Sequence, residues 1–156
     1  MGYSYYCNVC GRTIKHNTLM NSREKFDNQI LCKRCQRSTP EARKLAKALR
    51  EKGWHVQTEK NDGFKRIDIA IVEAKVNIEV DGAHHNLSKD QALRDLKRTY
   101  YSFKKDYVTL RIPNSLTVND KIITETADYI SGFLNQSMEQ IDAEIAKNKP
   151  KEEEDE

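Results

Sequence analysis

No hydrophobic run in this sequence approaches the ~20 consecutive apolar residues that a membrane-spanning helix needs, so we expect no contact with a membrane. The first residues also lack a basic segment followed by an apolar one, and we therefore expect no secretory signal. Position 6 is Tyr, which does not fit a myristoylation pattern. Apart from two CxxC pairs, the sequence has no internal repeats. We therefore expect a cytoplasmic protein.

The chain is long enough for one ordinary domain, or for a small module and a compact domain. Hydrophobic residues make up 37% of its 156 positions and charged residues 33%, which predicts a modest core. The net charge of +3 is unevenly distributed: residues 1–66 carry +9, residues 67–146 carry −4 and residues 147–156 carry −2. A basic first half suits a phosphate-backbone partner, although an unevenly charged solvated surface would look the same.

All four cysteines stand in two CxxC pairs separated by 21 residues, Cys7/Cys10 and Cys32/Cys35. Each pair can supply two thiolates to one Zn²⁺ ion, and Gly11 permits a tight turn after the first pair. In a reducing compartment structural disulfides are rare, so we favour one four-cysteine zinc site per chain over two disulfides or redox thiols.

Basic residues surround the second cysteine pair, namely Lys33, Arg34 and Arg37. The spacing resembles a zinc ribbon or a treble clef. Such a finger can bind nucleic acid, or it can simply stabilise a segment that is too small to fold alone. Both alternatives stay open from the sequence.

Two alternating runs, Arg66–Val72 and Val76–Asp81, are separated by the short link Glu73-Ala74-Lys75 and predict a β-hairpin. Alternation places Asp68, Glu79 and Asp81 on one face of this hairpin, with His84 and His85 just after its end. Carboxylates gathered in this way repel one another unless one is protonated or a cation lies among them. Oxygen ligands favour Mg²⁺ or Mn²⁺.

The remaining patterns predict helices around a small sheet. Thr39-Pro40-Glu41 is a typical helix start, and residues 54–58 and 107–112 read as strands. A helix is predicted from Ser88 to about Lys104, and a long final helix from about Asn119. The apolar stripe expected to be buried by the first of these two helices comprises Leu93, Leu96, Tyr100 and Phe103. The final helix is too long for a small domain to cover, so its C-terminal half is expected to pack on the finger or on a second subunit in a homodimer.

The order of these elements resembles the PD-(D/E)xK, restriction-endonuclease-like superfamily, and within it the very-short-patch-repair (Vsr)-like nucleases. The resemblance covers about residues 38–135. It depends on Pro40-Glu41, Asp68, the run from Glu79 to His85, Asp95-x-x-Arg98, and Leu110-Arg111. It implies an α/β fold with a central mixed sheet flanked by helices, here preceded by the zinc module.

The resemblance also implies roles for individual residues. Asp68 and Glu79, with the Val80 carbonyl, would hold the catalytic Mg²⁺ or Mn²⁺, and Glu41 would be an outer or second-metal ligand. Asp81 stands where the superfamily usually has Lys, and His85 would take over that function as a proton relay or phosphate contact. Apart from the resemblance, Arg98 and Arg111 are candidates for contacts with the phosphate backbone.

Together these observations predict a metal-dependent DNA endonuclease, acting in repair, recombination or restriction and associated with the nucleoid. We expect a zinc finger at 1–37, a nuclease domain at 38–135, and a helical extension with a charged tail at 136–156. One alternative is a catalytically inactive zinc-finger protein that binds nucleic acid on a nuclease-like fold. Another, an HNH nuclease using His84 and His85, is disfavoured because the cysteines lie far away in sequence. The form of DNA that is cut stays open.

Overall fold

The computed structural model of the chain describes residues 3–81 and 88–149. Six strands, four α-helices and one short 3-10 helix follow one another in these ranges. Their bounds are β1 Tyr5–Tyr6, β2 Thr13–Ile14, α1 His16–Lys25, α2 Pro40–Glu51, β3 Gln57–Asn61, β4 Arg66–Ile71, β5 Val76–Asp81, α3 Lys89–Phe103, β6 Val108–Pro113, the 3-10 helix Asn114–Thr117, and α4 Asp120–Asn148. The α/β class and the mixed sheet flanked by helices are therefore confirmed.

Four strands form the central sheet in the order β3-β4-β5-β6. The first three are antiparallel to their neighbours, whereas β6 runs parallel to β5. The β4–β5 turn is confirmed at the predicted place, where Lys75 N donates to Val72 O over 3.0 Å. Alternation along β4 and β5 then gives the sheet one apolar face and one polar face.

The apolar face is covered by α2 and α4. Thr39 caps α2 by accepting a hydrogen bond from Ala42 N, and Pro40 occupies the first turn. The apolar stripe of α2 is fully buried and comprises Ala42, Leu45, Ala46 and Leu49. Asn119 caps α4 in the same manner by accepting from Ile122 N. The core between these helices and the sheet contains Leu45, Leu49, Ile69, Ile71, Ile78, Ala127, Ile130 and Leu134.

The predicted packing of α3 is wrong. Leu93, Leu96, Tyr100 and Phe103 are 46%, 65%, 62% and 71% exposed, and the residue that α3 buries is Ser102. The reason lies in the sheet face that α3 meets. That face carries Asn77, Glu79, Asp81 and Arg111, and polar groups of this kind need hydrogen-bonding partners rather than an apolar stripe. Asn77 Nδ2 accordingly donates to Ser102 Oγ over 3.4 Å.

The strand predicted at 54–58 begins later, at Gln57. Trp54 instead reaches the other side of the molecule, where its Nε1 donates to Ser131 Oγ on α4 over 2.9 Å. The C-terminal half of α4 contacts the β4–β5 turn through a hydrogen bond from Ser137 Oγ to Ala74 O of 2.8 Å. Within the described ranges, no helix combines the length and apolarity needed to cross a membrane.

The cysteine-bearing segment packs directly on this α/β body. Its buried residues, including Val9, Ile14, Leu19 and Leu31, belong to the same hydrophobic cluster as α2 and the sheet. Arg50 on α2 donates to the carbonyl oxygens of Cys7 and Asn8, each over 3.4 Å. The zinc module predicted at 1–37 therefore shares its core with the segment that follows it.

Candidate metal centre and carboxylate face

The two CxxC pairs come together at one point, as predicted. The first pair lies in the turn between β1 and β2, and the second follows α1. The Sγ atoms of Cys7, Cys10, Cys32 and Cys35 all lie within 4.8 Å of one another. Cys10 Sγ and Cys32 Sγ are 3.6 Å apart, close to the ~3.8 Å between sulfurs that tetrahedral Zn–S bonds of about 2.3 Å would impose.

All four cysteines are free thiols, and three of them are buried. Hydrogen bonds among the sulfurs shift the pKa values of the four thiols in opposite directions. A hydrogen bond with Cys10 is the largest cause that lowers the pKa of Cys7, and it also lowers the pKa of Cys32 to about 6. Shared hydrogen bonds raise the pKa of Cys10 and Cys35 instead. This cluster is compatible with a structural metal ion such as zinc, which would remove all four protons.

Gly11 is required next to this cluster. Its φ of +72° favours glycine, and a Cβ atom there would come within 2.8 Å of the Arg50 guanidinium. The second pair is fixed from the sheet side, because Cys35 Sγ lies 3.0 Å from Thr58 Oγ1 on β3. The cluster is thus held by both α2 and β3.

Asp68 lies on the polar face of β4, at the point where pairing between β4 and β5 stops. The paired residues of β4 and β5 extend from Ile71↔Val76 at the turn to Ile69↔Ile78, where the pairing ends. One residue beyond, Asp68 Oδ2 accepts a hydrogen bond of 2.9 Å from Val80 N in place of a backbone partner. Burial raises the pKa of Asp68 above its usual range, and the charges of Glu59 and Asp81 raise it further.

Glu79 lies on the same face of β5 and is held by Lys65. Lys65 Nζ is 2.6 Å from Glu79 Oε1, and the two side chains are only 10% and 16% exposed. Burial is the largest effect on the pKa of Glu79 and raises it, while the hydrogen bond from Lys65 acts in the opposite direction. Asp68 and Asp81 add to the increase by charge repulsion.

The third predicted carboxylate, Asp81, is close enough to influence both acids but has its own partner. Arg111 Nη1 on β6 lies 3.4 Å from Asp81 Oδ2 and 4.0 Å from Asp95 Oδ2 on α3. Asp95 also pairs with Arg98 over 3.6 Å. Arg98 and Arg111 therefore border the carboxylate face, with both side chains 42% exposed.

The carboxylates share a face without forming a compact cluster. Among the described residues, the four cysteines are the one group of three or more His, Cys, Asp or Glu side chains placed closely enough to hold a metal ion, and the three carboxylates do not form such a group. Glu41 begins α2, whose buried stripe packs on the apolar face of the sheet. Asp68 and Glu79 therefore form the centre of this site.

Other predicted residues lie at its margins. The backbone N–H of Val80 donates a hydrogen bond to Asp68. The Val80 carbonyl remains a predicted metal ligand. His84 and His85 lie outside the described residues. On the finger, Lys33 and Arg37 are exposed and Arg34 is partly buried.

Sequence reasoning missed two members of this site, Lys65 and Glu59. Lys65 belongs to the turn before β4, so strand alternation could not place it beside Glu79. Glu59 has a φ of +48° within β3, a left-handed conformation that is uncommon for a residue other than glycine. Its carboxylate accepts a hydrogen bond from Ser38 Oγ over 3.3 Å. The sequence did offer one signal for Lys65, because a basic side chain three residues before Asp68 could have been expected to lie near the carboxylates.

The tip of the β3–β4 hairpin folds towards α3. Phe64 stacks on Tyr101 with ring centroids 5.0 Å apart, and Lys105 Nζ donates to Asp62 O over 2.8 Å. Because Lys65 follows Phe64, this docking also fixes the backbone that carries Lys65 to Glu79. The hairpin tip and the end of α3 therefore enclose part of the polar sheet face.

Comparisons of this chain with protein families, with characterised proteins and with solved structures found no match.

Proposed function

We propose that this chain is a divalent-metal-dependent DNA endonuclease whose catalytic centre is the Asp68–Glu79 pair. The observation that carries this proposal is the partial burial of two carboxylates on facing positions of adjacent strands, with the pKa of each raised by desolvation. Buried acids that repel one another are costly to a fold. A function that requires negative charge at this place would account for the two acids.

The donor set suits Mg²⁺ or Mn²⁺. These ions are commonly bound by one or two carboxylates, with water and substrate phosphate completing the shell. Asp68 and Glu79 would hold the ion, with the Val80 carbonyl as a further oxygen donor. When bound, the metal supplies Lewis-acid polarisation of the phosphate and a more acidic water. Asp81 and Glu41 would act from outside the direct ligand set.

Lys65 provides a cation on the opposite side of Glu79. In the free protein its ammonium group offsets the Glu79 charge at 2.6 Å. With DNA bound, Lys65 Nζ would donate to a phosphate oxygen and offset the charge that develops there. The superfamily usually has a Lys at the position that Asp81 occupies here, and Lys65 would supply that positive charge instead. His85 remains a proposed proton relay or phosphate contact.

DNA as the substrate is supported by charge and by resemblance. Residues 1–66 carry +9, and Arg98 and Arg111 border the carboxylate face. Phosphate contacts supply much of the affinity in protein–DNA complexes. The order of helices, strands and acidic residues resembles the Vsr-like branch of the PD-(D/E)xK superfamily, and we propose membership of that branch.

For the cysteine cluster we propose one structural Zn²⁺ per chain in a treble-clef or ribbon-like module. Four sulfurs within 4.8 Å close a tetrahedral shell and leave no position for substrate. The ion would therefore stabilise the fold and present Lys33, Arg34 and Arg37 towards DNA.

The test is cleavage of supercoiled plasmid and of end-labelled duplexes by zinc-loaded protein with Mg²⁺, Mn²⁺ or neither. We expect nicked or linear product only when a divalent ion is added. Lys65→Met is expected to slow cleavage strongly, whereas Lys121→Met, at an exposed position on α4, is expected to leave the rate unchanged. Cleavage without added divalent ion, or at equal rates in both variants, would contradict the proposal.

One observation favours the alternative of an inactive DNA-binding protein. The Lys65–Glu79 pair satisfies the Glu79 charge without a metal ion. An inactive protein would bind DNA with strong salt dependence but give no product with either ion. The same cleavage assay, combined with a binding measurement, therefore separates the two functions.

A further inference from the structure

A small cavity lies on the polar face of the sheet, and its lining includes Asn77, two residues before Glu79 on β5. Its volume is about 170 Å³. It is open to solvent on one side and bounded by the hairpin tip, the end of α3 and the sheet, and it is lined by Lys60, Asn61, Asp62, Asn77, Ser102, Lys105 and Tyr107. None of these residues has a role in the nuclease proposal above. We propose that this cavity accepts one unpaired nucleobase of the DNA strand that is cut.

The size of the cavity selects the class of ligand. A cavity of about 150 Å³ can hold a benzene ring, so this one has room for a single base ring system. A paired base cannot enter, because its partner and the neighbouring stacked pairs would have to enter with it. A base that reaches this cavity must therefore be unpaired, mismatched or displaced from the helix.

The lining offers hydrogen-bonding groups suited to the edge of a base. Asn77 and Ser102 are only 4% and 2% exposed, and Asn77 Nδ2 donates to Ser102 Oγ. The Asn77 Oδ1 atom is then an acceptor. Asn61 Oδ1 accepts from Gly63 N over 2.9 Å, so the amide NH2 group of Asn61 is a donor. Adjacent donors and acceptors are what the edges of nucleobases present.

An aromatic ring and two cations complete the arrangement. Tyr107 contributes an aromatic ring, and Lys60 Nζ lies over that ring, 5.3 Å from its centroid, so a base stacked on this face would take the place of the Lys60 ammonium. Lys105 Nζ is held at Asp62 O. Aromatic rings that stack bases, combined with basic groups for the backbone, are typical of sites for single-stranded nucleic acid.

The position of the cavity connects it to the proposed chemistry. Asn77 lies two residues before Glu79 on the same face of β5, which is about 7 Å along a strand. The end of β3 contributes Asn61 to the cavity, and the turn that follows contributes Asp62 to the cavity and Lys65 to Glu79. A nucleotide bound in the cavity would therefore present its neighbouring phosphate to Lys65 and the carboxylate pair.

This inference rests on the proposed DNA substrate and specifies it as DNA with an unpaired nucleotide at or beside the cleavage point. The test measures binding, so it does not depend on cleavage. Zinc-loaded protein without added Mg²⁺ is titrated with dye-labelled duplexes that are identical except for one unpaired nucleotide. We expect the wild type to bind the unpaired form about 10-fold more tightly.

Tyr107→Ala is expected to abolish this preference, and Asn61→Ala to reduce it. Tyr107→Phe retains the ring and is expected to retain the preference, as is Tyr129→Ala, which removes an exposed tyrosine on α4. Equal binding of both duplexes by the wild type would overturn the inference. So would a full preference in Asn61→Ala, a variant that tests the cavity even if Tyr107→Ala fails to fold.

The two proposals fail in different ways. If the protein cleaves DNA with Mg²⁺ but shows no preference for the unpaired form, the cavity assignment is wrong and the nuclease proposal stands. If the preference is present and no metal supports cleavage, the nuclease proposal is wrong and the cavity belongs to a DNA-binding protein.

Discussion

The cysteine cluster and the carboxylate face both collect side chains that bind metals, but they do so differently. The four sulfurs face one another within 4.8 Å. Asp68 and Glu79 each contact a protein group instead, Val80 N and Lys65 Nζ respectively. A site whose ligands face one another is completed by its ion, whereas a site whose ligands have protein partners must exchange contacts when an ion or substrate binds. We infer a structural role for the cysteine cluster and a catalytic or binding role for the carboxylate face.

The largest expected effect is loss of the metal from the cysteine cluster. Structural zinc contributes on the order of 10 kcal/mol to the folding of small modules, and here the module shares its core with α2 and the sheet. A strong chelator is therefore expected to lower the melting temperature sharply, and added Zn²⁺ to restore it.

Elemental analysis of protein purified without added metal should find one zinc ion per chain, and Cys32→Ser should reduce that content. Thr13→Ser, at an exposed position in β2, is the matched control. A metal-free protein that melts at the same temperature, or one with paired disulfides, would contradict the structural role.

A second prediction separates the two carboxylates. Glu79→Gln removes the charge that partners Lys65, whose side chain is only 10% exposed, and breaking such a pair is expected to lower the free energy of unfolding by about 3 kcal/mol, the lower end of the range for buried pairs. Asp68→Asn retains an acceptor for Val80 N and removes repulsion with Glu59 and Asp81. The metal-free Asp68→Asn protein should therefore be as stable as wild type or more stable.

Denaturant unfolding of both metal-free variants measures this difference. Asp142→Asn and Glu144→Gln, at exposed positions of α4, control for the loss of a charge. Equal destabilisation by Asp68→Asn and Glu79→Gln would mean that the two acids do not differ in the way their contacts indicate.

The pH dependence of stability provides a smaller test of Asp68. Because its folded-state pKa is raised above the unfolded value of about 3.9, the folded state binds more protons between the two values. The contribution of Asp68 to stability is thus present below the unfolded pKa and is lost as pH rises through the folded pKa. The Asp68→Asn variant has no titrating group at this position, so this loss of stability with rising pH is absent.

The stability of metal-free Asp68→Asn relative to wild type should therefore increase as the pH rises above about 4. Unfolding free energies measured at matched ionic strength would follow this difference. A difference that stays constant, or that decreases with rising pH, would show that burial does not penalise the Asp68 charge.

The smallest expected effect concerns the surface of the finger. Point substitutions are needed because deleting residues 1–37 would expose the core that Leu31 and Cys35 help to form. Lys33→Ala with Arg37→Ala should reduce the slope of log affinity against log salt by up to about 1.8, at about 0.9 per lost phosphate contact. Lys121→Ala with Lys147→Ala on α4 should not. An unchanged slope in the Lys33→Ala, Arg37→Ala double variant would mean that the finger has a structural role and does not contact DNA through these residues.

Local signals in the sequence predicted much of this fold. Helix starts at Pro40 and Asp120 follow from their caps, and the β4–β5 hairpin follows from strict alternation. The cysteine cluster was also predictable, since four thiols at this spacing have few other roles in a reducing compartment. In each of these cases the deciding interactions lie within a few residues or involve one type of side chain.

The parts that escaped prediction depend on contacts between distant elements. The stripe on α3 has the period of a buried helix, but the sheet face opposite is polar, so Ser102 packs there instead. Lys65 reaches Glu79 from a turn whose neighbouring residue, Phe64, stacks on Tyr101 of α3. The left-handed φ of Glu59 also follows no strand pattern. Periodicity describes one element at a time and cannot reveal which surface that element meets.

The most direct test of the carboxylate face is Mg²⁺-dependent nicking of supercoiled plasmid by Asp68→Asn, measured beside Asp142→Asn under identical conditions. Because Asp68→Asn is expected to keep its fold, loss of activity in this variant cannot be attributed to unfolding. We predict that wild type and Asp142→Asn nick the plasmid when Mg²⁺ is present and that Asp68→Asn, still folded, does not. Nicking by Asp68→Asn at the wild-type rate would contradict the assignment of the carboxylate face as a catalytic site.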